Sequence, residues 1–204
     1  KIGIPPMFST IFFPEVINAF ELHHPDIQIE LDEFGSVRAC NLVQEEKLGL
    51  AIVNMEQFNI DKFESRVLAK EQLVYVVSKN HPMSGKKYMT IEDFKDEKLV
   101  MFNVDSVQNE LLKNRFDGLN ISPHIIMRSS QLYTTLKFVD KGNCGCFLLS
   151  DMLPHFREYV GIPLKPSIDV KIGIIWKKEN FLSHSAQLFI DFAMQYCSEK
   201  IITP

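Results

Sequence analysis

The side chains best placed to do chemistry are hydroxyls that stand where short apolar runs stop. Ser9 and Thr10 follow Ile2-Gly3-Ile4, and Ser36 follows the run from Ile27 to Leu31. Ser106 follows Leu99–Phe102, and Ser129 with Ser130 follows Ile125–Met127. If each run is a strand and each hydroxyl opens a helix, the plain role for any one of them is an N-cap. Four such turns converging on one cleft would do more. Their exposed N–H groups and the positive ends of the helix dipoles favour a small anion, with a carboxylate the expected kind.

Catalytic spacing is missing. The chain has no GxGxxG, GxxxxGK[ST], HExxH, GxSxG or CxxC, so phosphate-loop, zinc-protease, serine-hydrolase and thioredoxin-like chemistry have no residues to run on. His23 and His24 with Asp26 suggest a metal, but neighbours on a helix point about 100° apart and make poor joint ligands. They read as a solvated helix end. The charged runs Gln44-Glu45-Glu46-Lys47 and Lys177-Lys178-Glu179 read as solvated surface. The chain is therefore read as a binder and not an enzyme, with no cofactor and no metal.

The elements that must position these hydroxyls alternate. Ile2–Ile4 is a strand that Pro5-Pro6 stops, and Phe13, Val16, Ile17 and Phe20 mark one face of a helix with Pro14 in its first turn. Ile27, Ile29 and Leu31 alternate with polar residues as a half-exposed strand. Gly35-Ser36 offers a turn and an N-cap for a helix through about Lys47, and Leu50–Val53 is a buried strand. This β-α-β-α-β order specifies parallel strands with helices on the sheet faces. Leu73–Val77 is a further strand, and Thr90-Ile91-Glu92-Asp93 fits a capping box. The alternation then restarts with Leu99–Phe102, a helix from Ser106 to about Phe116, Ile125–Met127, a helix carrying Leu132, Leu136 and Val139 that Gly142 ends, and Cys146–Leu149. A strand with Val170, Ile172, Ile174 and Trp176 and a helix from about Ser183, facing inward with Phe189, Phe192, Ala193 and Tyr196, close the chain. Two lobes of about 100 residues follow, an ordinary domain size. The last strand and helix would return to the first lobe, making two crossovers with a cleft between the lobes.

Composition bounds the partners. With 22 Lys+Arg against 26 Asp+Glu the net charge is −4, too acidic for this segment to hold duplex nucleic acid by itself. No apolar run approaches the roughly 20 residues of a membrane span. The four cysteines, Cys40, Cys144, Cys146 and Cys197, suit a reduced, cytoplasmic home, since a core this large needs no staples. A redox switch at Cys144-Gly145-Cys146 would need a low-pKa thiol, and only Lys141 stands close in sequence. The chain opens on Lys1, so either a secretory leader or an N-terminal domain is expected ahead of it.

The order of short motifs resembles one family, the effector-binding domain of LysR-type transcriptional regulators. Ile2-Gly3-Ile4-Pro5-Pro6-Met7, Phe13-Pro14 and Phe20…His24-Pro25-Asp26-Ile27 resemble its opening strand and helix. Gly35-Ser36 and Leu48-Gly49-Leu50-Ala51-Ile52-Val53 resemble "GS…GxLDLAIV", with Gly49 where Asp is usual. Val76–Met83 resembles "VVPxxHPL", with Ser78 in place of proline. Ser129-Ser130 with Val139–Gly145 resembles "S…VxxGxGI…LP", with Cys144 before the glycine, Cys146 for isoleucine and a later Pro154. Trp176 and the Phe189–Phe192 helix resemble the closing strand and helix.

The resemblance implies an α/β fold of two Rossmann-like, type II periplasmic-binding-protein-like subdomains joined by two crossover strands, here 1–77 with 173–204, and 78–172. It implies an effector pocket of Ser9, Thr10, Ser36, Ser106, Ser129 and Ser130, with Met7 and Phe147 as apolar walls. It also implies a winged helix-turn-helix ahead of Lys1 that reads the DNA, and homodimers and homotetramers in the full-length protein. The Pro5-Pro6-Met7 opening resembles a branch answering to acetate or pyruvate overflow. An exported solute-binding protein of a transporter shares the fold and is the competing reading; it would need a leader peptide ahead of Lys1. Either Ser36→Ala or Ser129→Ala is expected to weaken effector binding with little loss of stability.

Overall fold

The computed structural model describes residues 1–11, 13–56, 60–104, 106–178 and 181–202, which leaves Glu179 of the charged run Lys177–Glu179 outside the described residues. The chain divides into two compact units, Lys1–Lys70 with Lys171–Pro204, and Glu71–Val170. The crossings thus lie at 70/71 and 170/171, against 77/78 and 172/173 read from the sequence. Both fall inside strands, β4 (Phe63–Ser78) and β9 (Asp169–Lys177). The segment Leu73–Val77 is the end of a single 16-residue strand, because the half-polar alternation from Phe63 onward already has strand period.

In the first unit β1 (Ile2–Ile4) lies between two parallel neighbours, β2 (Leu31–Glu33) and β3 (Leu50–Asn54). β9 adds to β3 antiparallel, with Ala51 opposite Ile175. β1 and β3 are buried along their whole length, as strands covered on both faces must be. The alternation from Ile27 predicts a longer β2, but β1 is three residues long and pairs only Leu31, Asp32 and Glu33. Pro6 opens α1 (Pro6–Ile11), where its missing N–H costs nothing, and α2 (Phe13–His23) follows. α3 (Ser36–Gln44) packs Ala39, Cys40 and Val43 on Leu48, Ala51, Val53 and Ile175. α6 (His184–Ile202) sets Phe189 edge-on against Phe20 of α2 at 5.3 Å. Ser183 Oγ accepts the Ala186 N–H at 3.2 Å and caps that helix.

In the second unit the end of β4 is flanked by two antiparallel strands, β7 (Cys146–Leu149) and β8 (Tyr159–Pro163). β8 gave no sequence signal, since Gly161 interrupts it and Pro163 ends it. β5 (Lys98–Met101) runs parallel to β6 (His124–Arg128), and Gly145 bridges to β5 through Val100 N–H at 2.9 Å. α4 (Val107–Gly118) and α5 (Leu132–Lys141) fill the alternation. The box at Thr90 is present: the Asp93 carboxylate accepts Thr90 N–H at 2.8 Å and the Thr90 hydroxyl at 3.3 Å.

The core of this unit is aromatic. Tyr75 of β4 meets Phe94 at 4.8 Å and Phe147 at 5.5 Å, and Phe94 meets Phe116 at 5.9 Å. The Tyr75 ring lies against Gly145 so closely that a Cβ there would fall 2.2 Å from a ring carbon. At the first residue of the unit's β4 segment, Glu71 is buried and accepts the Ser150 hydroxyl at 2.9 Å. Burial, and then the neighbouring Asp151 carboxyl, push the Glu71 acid up from 4.5 to about 7.

Two outcomes follow. Gly145→Ala is expected to cost roughly 1–3 kcal/mol by overpacking, seen as a lower denaturant midpoint at unchanged slope; an unchanged midpoint would mean that the ring moves freely. Folding takes up a proton at Glu71 between about pH 4.5 and 7, so this group's stabilisation falls as pH rises through that window. Glu71→Gln keeps the bond to Ser150 without the charge. Its melting temperature relative to the parent should climb from pH 4.5 to 7 and then level off, and a pH-independent difference would refute the assignment.

Candidate functional site

The parallel strands β1, β2 and β3 put their carboxyl ends on one edge of the first unit, and the hydroxyls there have distinct partners. Ser9 Oγ donates to the Pro6 carbonyl at 2.9 Å and to the Glu33 carboxylate at the end of β2. Thr10 Oγ1 donates to the same Pro6 carbonyl at 2.8 Å. Both protons therefore serve α1 and its neighbour. Met7 is 6% exposed and belongs to the core.

Ser36 is different. It is the first helical residue of α3 and not its cap, which is Gly35 in an extended conformation. Its Oγ lies inside the protein and accepts the backbone N–H of Asn54, the last residue of β3, at 3.0 Å. This bond ties the helix start to the strand end. Asn54 is 0% exposed, its Oδ1 accepts the Glu56 N–H at 3.0 Å, and its Nδ2 has no partner, the one such buried side-chain atom among the described residues. A buried donor left unmade costs about 1–3 kcal/mol. The sequence reading missed Asn54, although a polar residue ending the run Leu50–Val53 was the available signal.

In the second unit a polar corner forms where β5 and β6 end. Ser106 caps α4 in position, but its hydroxyl donates to Gln108 Oε1 at 2.7 Å and accepts no N–H of the helix's first turn. Ser129 Oγ accepts the Gln131 N–H at 3.0 Å at the start of α5, and Ser130 is exposed. Arg128, also missed, ends β6 and donates from Nη1 to Asn109 Oδ1 at 2.6 Å and to the Phe102 carbonyl at 3.3 Å. Phe147, expected as a pocket wall, is 1% exposed and lies between Tyr75 and Phe94. It is a core residue because β7 is buried along its whole length.

Other candidates have ordinary explanations. His23 Nδ1 pairs with the Ala19 carbonyl at 2.8 Å and its ring leans on Phe192. Among the described residues no group of three or more His, Cys, Asp or Glu is arranged to hold a metal ion. The four cysteines are buried free thiols. Burial pushes Cys40 up to about 11 and raises Cys144 and Cys146 as well, the reverse of what a reactive thiolate needs. A surface pocket lined by Lys1, Glu21, Pro25, Ile27 and Glu30 lies at the amino ends of β1 and β2, and Glu30 and Asp32 pair its lysine at 3.1 and 3.2 Å. No helix among the described residues is long and apolar enough to cross a membrane.

Two α/β units with parallel strands, hydroxyls at the strand ends and helix N-termini beside them define a ligand-binding class of fold. The family model for the LysR substrate binding domain matches residues 1–198, and the chain belongs to this family. Among curated relatives it is 28% identical over 96% of its length to the HTH-type transcriptional regulator YwbI of Bacillus subtilis, and 25% identical over 98% to the transcriptional dual regulator GltC of the same organism. It spans about two thirds of those relatives, 66% and 67%. The effector binding domain of QuiR in complex with shikimate superposes with a TM-score of 0.83 at 23% identity, covering 97% of this chain and 96% of that one. The CcmR regulatory domain of Synechocystis PCC6803 in complex with 2-PG gives 0.87 at 18%, covering 96% and 95%. These likenesses establish the fold, the two-lobed periplasmic-binding-protein-like one.

The buried Ser36–Asn54 bond changes one expectation. Ser36→Ala strands the Asn54 N–H and is expected to cost about 1–3 kcal/mol, whereas Ser129→Ala removes a more exposed hydrogen bond to the Gln131 N–H worth about 1 kcal/mol. Chemical denaturation of the two variants checks the order, and equal losses would mean that the Ser36 bond contributes no more than the Ser129 bond.

Proposed function

We propose that the chain is the sensory half of a LysR-type transcriptional regulator. It binds a small carboxylate or similar anion and passes the binding energy to a winged helix-turn-helix that precedes Lys1 in the full-length protein. The observation that carries this reading is the placement of hydroxyl, amide and guanidinium donors beside helix N-termini at strand carboxyl ends, in each unit by itself: Ser36 and Asn54 in one, Ser106, Arg128, Ser129 and Ser130 in the other. Ligands of open α/β sheets bind outside such strand ends. The relatives of greater length are regulators, and the net charge of −4 suits a segment that leaves DNA contact to another. The same relatives count against an exported solute-binding protein and against an enzyme. The regulator works in the cytoplasm as a homodimer or homotetramer. The effector shifts its balance between two arrangements by a coupling of roughly 1–3 kcal/mol.

Titration calorimetry with a panel of small carboxylates and their amides tests the reading. At least one carboxylate should bind, its amide should not, and Ser129→Ala should weaken binding about tenfold. Full affinity in both Ser129→Ala and Ser36→Ala would remove these residues from the site.

A further inference from the structure

Glu71 is the first residue of the second unit, the point in β4 at which the chain arrives from the first. Strand alternation sets it apart from its neighbours: Lys70 and Gln72 are exposed, and Glu71 between them is buried. Gln72 Nε2 donates to Asp169 Oδ1 of β9 at 2.9 Å, and Lys171 of the same strand is exposed and pairs with Glu56 at 3.6 Å. The Glu71 carboxyl instead meets the turn that follows β7, Ser150–His155. Its Oε2 accepts the Ser150 hydroxyl at 2.9 Å and the Asp151 N–H at 3.4 Å, and the Asp151 carboxyl lies within hydrogen-bond reach of it. His155, the turn's other ionisable side chain, is exposed at its far end. The β4–β7 ladder stops at Leu73 opposite Leu149. Two residues further, the same register would set Glu71 against Asp151, where two like charges are unfavourable.

We propose that Glu71 is a proton-operated latch on β4. As the neutral acid it donates to the Asp151 carboxyl, accepts from Ser150 and holds the turn against the strand. As the carboxylate it faces a like charge across the end of the ladder, and the turn lets go, its proton having passed to water. Burial first, and Asp151 second, push the closed acid up from its ordinary 4.5 to about 7. Closing therefore takes up a proton. The latch is firmest in acid, weakens as pH rises through that window and levels off above about 7. By this linkage the open form becomes about tenfold more frequent between pH 6 and pH 8. The device stands in the second unit by itself and does not depend on which ligand the chain senses.

The test is amide hydrogen exchange of the 204-residue chain, read by nitrogen-15 NMR and expressed as protection relative to the unstructured rate at each pH. Protection at Asp151 and Met152 should fall about tenfold from pH 6 to pH 8. It should lie below that of Val100 and Asn54, whose N–H groups bond Gly145 and Ser36. It should also be insensitive to sub-denaturing urea, the mark of a local opening. Glu71→Gln should abolish the pH dependence, and Asp151→Asn should move it to lower pH. Equal protection and an equal urea response at all four amides would mean that Glu71 acts through global unfolding alone, and would overturn the latch. So would flat protection in the parent, or a dependence that survives Glu71→Gln. Should that variant fail to fold, the Asp151→Asn profile decides, and an unshifted one overturns the proposal.

Discussion

The Tyr75 ring can lie where it does only because residue 145 has no side chain. That close approach organises the second unit. The ring forms edge and tilted contacts with Phe94 and Phe147, which bring in the short helical turn at Ile91–Phe94 and strand β7. Its hydroxyl, with burial and Glu97 both raising its proton affinity, donates to the Glu97 carboxylate at 2.9 Å. The same carboxylate lies 3.6 Å from Nε2 of buried His81, whose Nδ1 accepts the Met83 N–H at 3.2 Å. Accepting at Nδ1 puts the imidazole proton on Nε2, facing Glu97. A single missing methyl group thus lets β4 pack on β7, and the packing fixes a polar chain that ties the turn after β4 to the residue before β5.

The first unit depends on a different economy of small groups. β1 is three residues long, yet it pairs with a parallel neighbour on each side and is buried throughout. Strands so short leave their carboxyl ends close to the core, and of the hydroxyls there Ser36 is buried, Ser9 half-buried and Thr10 exposed. Most are spent locally. Ser9 and Thr10 satisfy α1 and Glu33. Among the described residues the pair at the end of β3 keeps unspent protons in a buried place, where each is worth more than at the surface.

The alternation of apolar runs made most of this architecture legible. Short buried strands such as Leu50–Val53 and Leu99–Met101 carry the parallel-sheet signal in their own composition, and the hydroxyl after each run marks the helix that follows. What the sequence withheld depends on pairing. β2 could not be bounded from Ile27–Leu31 alone, because its length is set by β1. β8 could not be seen at all, because Gly161 and Pro163 are tolerated only against the strand that β4 supplies. The burial of Phe147 was hidden for the same reason: its neighbours Tyr75 and Phe94 lie far away in sequence. Arg128 and Asn54 were legible as polar residues ending apolar runs, but their importance comes from what they bond to.

Direction of hydrogen bonding separates a structural hydroxyl from one available to a ligand, and position in the fold does not. Ser36 and Ser129 both follow a strand, both open or precede a helix, and both accept a backbone N–H. Ser129 accepts from Gln131, two residues on, at a half-exposed site where water can take its proton. Ser36 accepts from Asn54, eighteen residues on, inside the protein, where water does not reach. Its proton, with the Asn54 amide beside it, carries an unmet demand that packing did not remove. Leucine at residue 54 would remove the unmet donor but would also leave the Glu56 N–H without its acceptor. Asparagine there leaves one buried donor unmet and in exchange holds the Glu56 N–H, so the end of β3 is set by hydrogen bonding and not by packing alone.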